Sequence, residues 1–230
     1  FFFKQKTAYE IYQCDWSSDV CSSDLRDLTV MFCDLRNFTT LSEGLDAAEL
    51  TAFMNAYLTP LTDAVLEAHG TVDKYIGDAM MAFWNAPLDD AEHCRHAVAA
   101  ALAIRAALVE FRVRRAEIDR AAGRSPRAIE MGLGLARGLC SVGNMGSARR
   151  FDYSILGDAA NLASRLEGVS KLYAVDVVVA AEVAAEVPEV AWIELDRVTV
   201  KGRSAVTTLF TPVGDAGVAA TAEFRAWAEA

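Results

Sequence analysis

The sequence predicts an α+β domain in which helices cover a mostly antiparallel sheet. The predicted elements follow the order β-α-β-β-α-β-β-α-β, and several neighbouring strands form hairpins beside helices. A doubly wound parallel sheet would instead alternate single strands with helices. The 230-residue chain is 53% hydrophobic, which is enough to bury one sizeable core.

The first half of the chain alternates strands with amphipathic helices. A buried strand is predicted over residues 28–34, and residues 40–43 resemble a capping box at a helix start. Apolar side chains recur at helical spacing over residues 46–68. A hairpin over residues 72–84 and an Ala-rich helix over residues 89–117 follow.

The hairpin VDKYIGDAMMAFW is predicted to turn at Gly77-Asp78, because two apolar runs flank that pair. Lys74 is predicted on the same strand face as Val72 and Ile76, where a solvated charge is not expected. A lysine and a carboxylate at the tip of an otherwise buried hairpin indicate a functional role.

The second half of the chain is predicted to contain short strands and two helices. These elements are a loop at 123–127, strands around 128–136 and 138–144, a loop at 144–153, a helix at 158–169, a strand at 175–180, a helix near 181–187, and strands at 191–200 and 206–212. An Ala-rich tail from residue 214 is predicted to be a frayed helix.

Residues 1–25 differ from the rest of the chain. The stretch FFFKQKTAYEIYQCDWSSDVCSSDL lacks helical and strand periodicity, and it lacks the basic start and apolar core of a secretory signal. It resembles translated sequencing-adapter read-through, so we predict a non-native segment; a genuine N-terminal arm is the alternative. The expected division is this segment at 1–25, one domain at 26–213 and the tail at 214–230.

The composition argues against nucleic-acid binding. A net charge of −10 at pH 7 repels a phosphate backbone, so any anionic ligand must be held by local cations, amides or metal ions. Cys33, Cys94 and Cys140 stand among apolar residues, as is typical of reduced buried thiols in a cytoplasmic protein. No run of 18 apolar residues is present, so no membrane span is predicted.

Two aspartates are the first candidates for chemistry. Asp34 ends a buried strand and Asp78 occupies the hairpin turn, so the two carboxylates converge if these strands are adjacent. Hard oxygen ligands suit Mg²⁺ or Mn²⁺ better than zinc, and the amides of residues 35–40 could cradle a phosphate at a helix start. The alternative is that Asp34 is a cap and Asp78 an ordinary turn residue.

A second candidate cluster lies in FDYSILGDAANLASRLE, residues 151–167. Asn161 and Arg165 are four residues apart and share one helix face, while Leu162 and Leu166 face a core. The alternative is an exposed Asn-Arg pair on a helix with Asp158 as its N-cap.

Three segments, in this order and at these separations, carry a family resemblance. VMFCDLRNFT, VDKYIGDAMMAFW and DYSILGDAANLASRLE resemble the catalytic domain of bacterial-type class III adenylate/guanylate cyclases. The resemblance covers about residues 26–212 and implies the class III nucleotidyl cyclase fold, a ferredoxin-like sheet covered by helices. It also implies a lyase that makes a cyclic nucleotide and pyrophosphate in signal transduction.

The resemblance also implies roles for individual residues. In the family, two aspartates hold two divalent cations, Mg²⁺ or Mn²⁺. The implied site comprises Asp34, Asp78 and Leu35 for the metal ions, Arg165 for charge on the α-phosphorus, Asn161 for the ribose, Phe38 and Thr39 for substrate binding, and Lys201 of VTVKGRS for the terminal phosphates.

The base specificity is predicted from Lys74 and Ser154. The Lys74 ammonium can only donate, which suits N1 of adenine, and the Ser154 hydroxyl can accept from the 6-amino group. Guanine reverses this pattern, so ATP is the expected substrate. A guanylate cyclase is one alternative. A catalytically silent dimerisation or sensor module is another, although such modules usually lose a metal aspartate or the arginine.

The resemblance implies a homodimer with two head-to-tail shared active sites. One protomer would supply Asp34 and Asp78. The other would supply the remaining set, namely Lys74, Ser154, Asn161, Arg165 and Lys201. An upstream sensor or membrane segment is expected to be missing from this chain, whose catalytic domain is expected in the cytoplasm whether or not the full protein is membrane-anchored.

Overall fold

The computed structural model describes residues 24–147, 150–199 and 206–228. The strands are β1 (Asp24–Leu35), β2 (Thr71–Ile76), β3 (Ala79–Trp84), β4 (Met131–Ser147), β5 (Arg150–Gly157), β6 (Val177–Ala180), β7 (Ala191–Thr199) and β8 (Val206–Gly214). The helices are α1 (Phe38–Ser42), α2 (Ala47–Glu67), α3 (His93–Ala121), α4 (Asp158–Val169), α5 (Ala181–Ala184), α6 (Ala216–Ala219) and α7 (Ala222–Ala228).

The strands form one eight-stranded sheet in the order β2-β3-β1-β4-β6-β8-β7, and β5 pairs with β4. The β4–β6 pairing is parallel, and the other pairings are antiparallel. The predicted α+β class with a mostly antiparallel sheet is therefore confirmed. Asp24 and Leu25, which fall in the segment predicted to be non-native, pair with Val142 and Ser141 of β4.

Helices cover both faces of the sheet. From β1, Met31 and Cys33 pack with α2 and α3 on one face, while Leu28 and Val30 pack with α4 on the other. This alternation follows from the two-residue period of a strand. All three predicted core thiols, Cys33, Cys94 and Cys140, are buried and unpaired, and burial raises the pKa of the Cys33 thiol to about 12.

Strand β4 is one continuous element, so the prediction of separate strands at 128–136 and 138–144 was wrong. Arg137 interrupts the apolar run in the sequence, but its guanidinium donates to Asp27 Oδ2 on β1 at 2.9 Å and is satisfied within the sheet. The predicted loop at 144–153 was also wrong, because β4 and β5 pair through it, with Ser147 opposite Arg150.

The capping box lies later in the chain than predicted. Residues 40–43 fall within and just after α1, whose N-cap Asn37 makes no side-chain cap bond. The observed capping box begins α2, where Asp46 Oδ1 accepts from the Glu49 amide at 2.8 Å and Glu49 Oε2 accepts from the Asp46 amide at 3.2 Å. Substituting such a cap residue by alanine typically costs about 1 kcal/mol.

The remaining elements follow the predictions with small shifts in their ends. The helix predicted at 89–117 is α3, and the predicted tail contains the two short helices α6 and α7. In the part of the chain that the structure describes, no helix combines the length and apolar character needed to cross a membrane.

Candidate active site

Asp34 and Asp78 meet at one end of the sheet because β1 pairs directly with β3. Cys33 lies opposite Met80, so the next residue of β1 reaches the turn that precedes β3. Burial and the neighbouring Asp78 carboxyl group raise the pKa of Asp34 to about 7. The predicted convergence of these two carboxylates is therefore observed. We call this pair the metal pole.

The metal pole fits a divalent cation. Asp34 Oδ1 and Asp78 Oδ2 are buried and have no hydrogen-bond partner among the described residues, which is costly for carboxylate oxygens. A hard cation would satisfy these oxygens and relieve the repulsion between them. Within the described ranges, no three His, Cys, Asp or Glu side chains form a metal-binding group, so a cation here would need further oxygen ligands, such as phosphates.

Leu35, predicted at the metal ions, is buried in the apolar core beside α2 and α3. Its side chain is only 4% exposed, so it could contribute to a metal site through its backbone alone. Phe38 is partly buried and packs against the same core, whereas Thr39 is exposed in the first turn of α1. The backbone amides of a first helical turn have no partners within the helix, which suits the predicted role in phosphate binding.

Sequence reasoning missed Glu167, a third carboxylate near the metal pole. The pKa of Glu167 is raised, chiefly by burial. The nearby Arg36 guanidinium offsets part of this rise, and the Asp78 carboxylate adds to it. Arg36 Nη2 in turn donates to Ser170 Oγ at 3.0 Å and to the Val175 carbonyl at 2.6 Å. Arg36 therefore ties the end of β1 to the end of α4. The signal in the sequence was an acid directly after a core leucine on α4.

Lys74 and Ser154 lie together, as their predicted joint role requires. Lys74 Nζ donates to Ser154 Oγ at 3.2 Å, although the two residues are 80 positions apart. We call this pair the base pole. Asp73, which the prediction did not include, contacts both: Ser154 Oγ donates to Asp73 Oδ2 at 2.7 Å, and Asp73 Oδ1 lies 3.3 Å from Lys74 Nζ.

Lys74 shares a strand face with Ile76 as predicted, but the prediction that it also shares this face with Val72 was wrong, and a β-bulge is the reason. Val72 lies opposite Ala82 but Lys74 lies opposite Met81, so the register shifts between them. One extra residue in a strand turns the residues after it to the other face. Val72 packs on the α2 and α3 face, while Lys74 shares the α4 face with Met81.

Helix α4 presents Asn161 and Arg165 as predicted, while Leu162 and Leu166 are fully buried against the sheet. Asn161 is exposed, and Arg165 is half-buried with an Nη1 atom that has no hydrogen-bond partner among the described residues. Asp158 is not the N-cap, because Gly157 holds that position. Lys201 lies outside the residues that the structure describes.

Two solved structures with the same architecture are cyclases. The adenylyl cyclase CyaB from P. aeruginosa superposes with a TM-score of 0.75 at 32% identity, covering 84% of this chain and 97% of that one. The guanylyl cyclase Cya2 gives a TM-score of 0.74 at 28% identity, covering 84% and 94%. The backbone alone therefore does not separate the two base specificities.

Sequence relatives and the family pattern agree with the structures. "Adenylate cyclase" of Anabaena cylindrica is 37% identical over 161 residues, 70% of this chain and 31% of that protein. "Adenylate cyclase 1" of Rhizobium meliloti (strain 1021) is 34% identical over 190 residues, 82% and 28% respectively. The chain thus spans about a third of the length of these relatives.

The protein-family model of the adenylate and guanylate cyclase catalytic domain matches residues 20–212. Because that match covers the sheet, the metal pole, the base pole and α4, this chain belongs to the adenylate and guanylate cyclase catalytic domain family.

Proposed function

We propose that this chain is the catalytic domain of an adenylate cyclase, which converts ATP to 3′,5′-cyclic AMP and pyrophosphate. Family membership supports the cyclisation, and the names of the two sequence relatives support the adenylate class. The choice between bases rests on one observation, the 3.2 Å contact between Lys74 Nζ and Ser154 Oγ. This contact places a donor for N1 of adenine beside an oxygen that can accept from its 6-amino group.

The Asp34 and Asp78 carboxylates would hold the divalent cations, Mg²⁺ or Mn²⁺, through the oxygens that lack partners among the described residues. Such cations, when bound, lower the pKa of a coordinated hydroxyl and neutralise charge on phosphates. The protein contributes the position of the site, since both carboxylates belong to adjacent, well-packed strand ends. By fixing where the cations bind, these two side chains would orient the nucleotide for attack of its ribose 3′-hydroxyl on the α-phosphate.

Arg165 would stabilise the charge that develops on the α-phosphate. Its guanidinium nitrogen without a partner among the described residues is a preformed donor, and such donors act most strongly where charge appears in the transition state. Asn161, one turn earlier on the same face, would orient the ribose. Lys201 would contact the terminal phosphates.

We further propose that the active sites lie between two head-to-tail protomers, with the metal pole of one chain facing the base pole and α4 of the other. The full protein would carry additional regions, because this chain spans only about a third of the length of its relatives. We propose that these regions include a sensor or membrane segment upstream of residue 26. We place this domain in the cytoplasm as part of the same proposal, because its substrate ATP is a cytoplasmic nucleotide.

The test is to offer ATP and GTP in parallel to the purified chain, with Mg²⁺ or Mn²⁺, and to measure cyclic nucleotide and pyrophosphate. Cyclic AMP, formed with a specific activity that rises with protein concentration, is the expected result. Cyclic GMP as the main product would contradict the role assigned to the base pole and support a guanylate cyclase. No product from a folded dimer would indicate a catalytically silent module.

A further inference from the structure

Asp73 is a fully buried carboxylate at the base pole. Its side chain is 0% exposed, because the bulge between Val72 and Lys74 turns this one residue out of the regular strand alternation. Its two oxygens face the two residues that would read the base, since Oδ2 accepts from Ser154 Oγ at 2.7 Å and Oδ1 lies 3.3 Å from Lys74 Nζ.

A buried carboxylate dictates the direction of the hydrogen bonds around it. An ionised carboxylate only accepts, so the single proton of the Ser154 hydroxyl points to Asp73. One lone pair of Ser154 Oγ is taken by Lys74, which donates at 3.2 Å. The remaining lone pair of Ser154 is the hydrogen-bonding capacity that the hydroxyl retains for a ligand.

We propose that Asp73 is a specificity-determining positioning residue, which makes Ser154 an obligate acceptor and thereby selects adenine over guanine. This inference rests on the proposed function. A free serine hydroxyl can accept from the 6-amino group of adenine or donate to the 6-oxo group of guanine equally well. With its proton held by Asp73, Ser154 serves only the 6-amino group, and a 6-oxo group would face a lone pair.

Asp73→Asn tests this role because it reverses the bond without changing the shape of the side chain. The amide oxygen would turn to the Lys74 ammonium, which lies beside Asp73 Oδ1. The amide nitrogen would then donate to Ser154 Oγ, whose own proton would turn towards the base. The ratio of kcat/KM for ATP to that for GTP should fall about tenfold, the effect of losing or misdirecting one hydrogen bond.

The change should appear in KM more than in kcat, since the base does not react. The matched control is Asp152→Asn, an exposed carboxylate two residues before Ser154 on β5, which should leave the ratio unchanged. In a Ser154→Ala background, Asp73→Asn should have no further effect on the ratio, because the hydroxyl through which it acts is absent.

An equal loss of activity with both nucleotides would overturn the inference and leave Asp73 with a purely structural role. If the wild-type chain makes no cyclic nucleotide, the proposed function fails first, and the inference with it.

If thermal unfolding shows that Asp73→Asn does not fold, the wild-type enzyme provides the test with base analogues. Purine riboside triphosphate, which lacks the 6-substituent, should be a better substrate than inosine triphosphate, which has a 6-oxo group; the reverse order would overturn the inference.

Discussion

Individual carboxylates in this chain are placed where their charge is costly. Asp34, Asp73 and Asp78 each have an oxygen that is buried without a hydrogen-bond partner among the described residues. Asp73 is matched by the nearby Lys74, whereas Asp34 and Asp78 face each other. Such an arrangement lowers stability unless a cation or ligand compensates, and strain of this kind is typical of functional sites.

Asp34→Asn is therefore expected to stabilise the metal-free chain at pH 8. The pKa of Asp34 rises from an ordinary 3.8 to about 7 in the folded chain, so the folded state holds this proton more tightly than the unfolded state. The free energy of unfolding then falls as pH rises from about 4 to 7. In the presence of a chelator, the variant should melt several degrees above wild type at pH 8, and the difference should vanish at pH 4.

The comparison needs two further measurements. Asp152→Asn removes an exposed carboxylate and should leave the melting temperature unchanged at both pH values. Mg²⁺ or Mn²⁺ added to the wild type at pH 8 should raise its melting temperature, because a bound cation relieves the same repulsion. A difference between Asp34→Asn and wild type that is independent of pH would contradict the assigned cause.

At the scale of elements, the contact between α4 and β4 sets the position of Arg165. A Cβ atom built on Gly134 would lie 2.1 Å from the Ala163 carbonyl oxygen and 2.4 Å from the Glu167 amide nitrogen. The helix backbone therefore rests directly on the strand, with no side chain between them. This close approach explains why a glycine is needed inside a central strand.

Gly134→Ala should displace α4 from the sheet. We expect a loss of about 1–3 kcal/mol in the free energy of unfolding, as for other overpacked sites, together with a fall in kcat as Arg165 moves. Gly168→Ala is the matched control, because a Cβ there meets nothing within 4 Å and alanine is favoured over glycine in a helix by about 1 kcal/mol. Urea unfolding and cyclase assays on both variants would check this, and similar stabilities for the two would contradict it.

The sequence predicted the elements well and their local register poorly. The meeting of Asp34 and Asp78 was predictable, because each lies at the end of an apolar run and only strand adjacency had to be assumed. The role of Asp73 was not, because strict alternation places Asp73 and Lys74 on opposite faces, whereas the bulge allows both side chains to contact Ser154. The continuity of β4 was missed because Arg137 interrupts the apolar run, although its guanidinium is satisfied by Asp27 of the neighbouring strand.

On the scale of the whole molecule, a single chain contains both halves of the proposed site. The metal pole, the base pole and the α4 pair all lie in the described residues. Lys74 and Asp78 stand on one short hairpin, yet in the proposed dimer they would serve different active sites. This arrangement makes the shared site open to a complementation test.

Asp78→Ala and Arg165→Ala should each abolish turnover in the pure homodimer. Mixed in equal amounts and allowed to exchange, they should regain about a quarter of wild-type activity, since half of the dimers would be mixed and each would hold one complete site. Size-exclusion chromatography and thermal unfolding would confirm that each variant is a folded dimer. Mixtures that stay inactive while exchange is demonstrated would refute the shared site.

The link formed by Arg36 has a consequence for cooperativity. Arg36 binds Ser170 and the Val175 carbonyl beyond the end of α4, and Glu167 near the metal pole lies two residues after Arg165 on that helix. Within one chain, the metal pole and Arg165 are thus connected through a single rigid helix. In a dimer with shared sites they would belong to different catalytic centres, so cation binding at one centre would change turnover at the other.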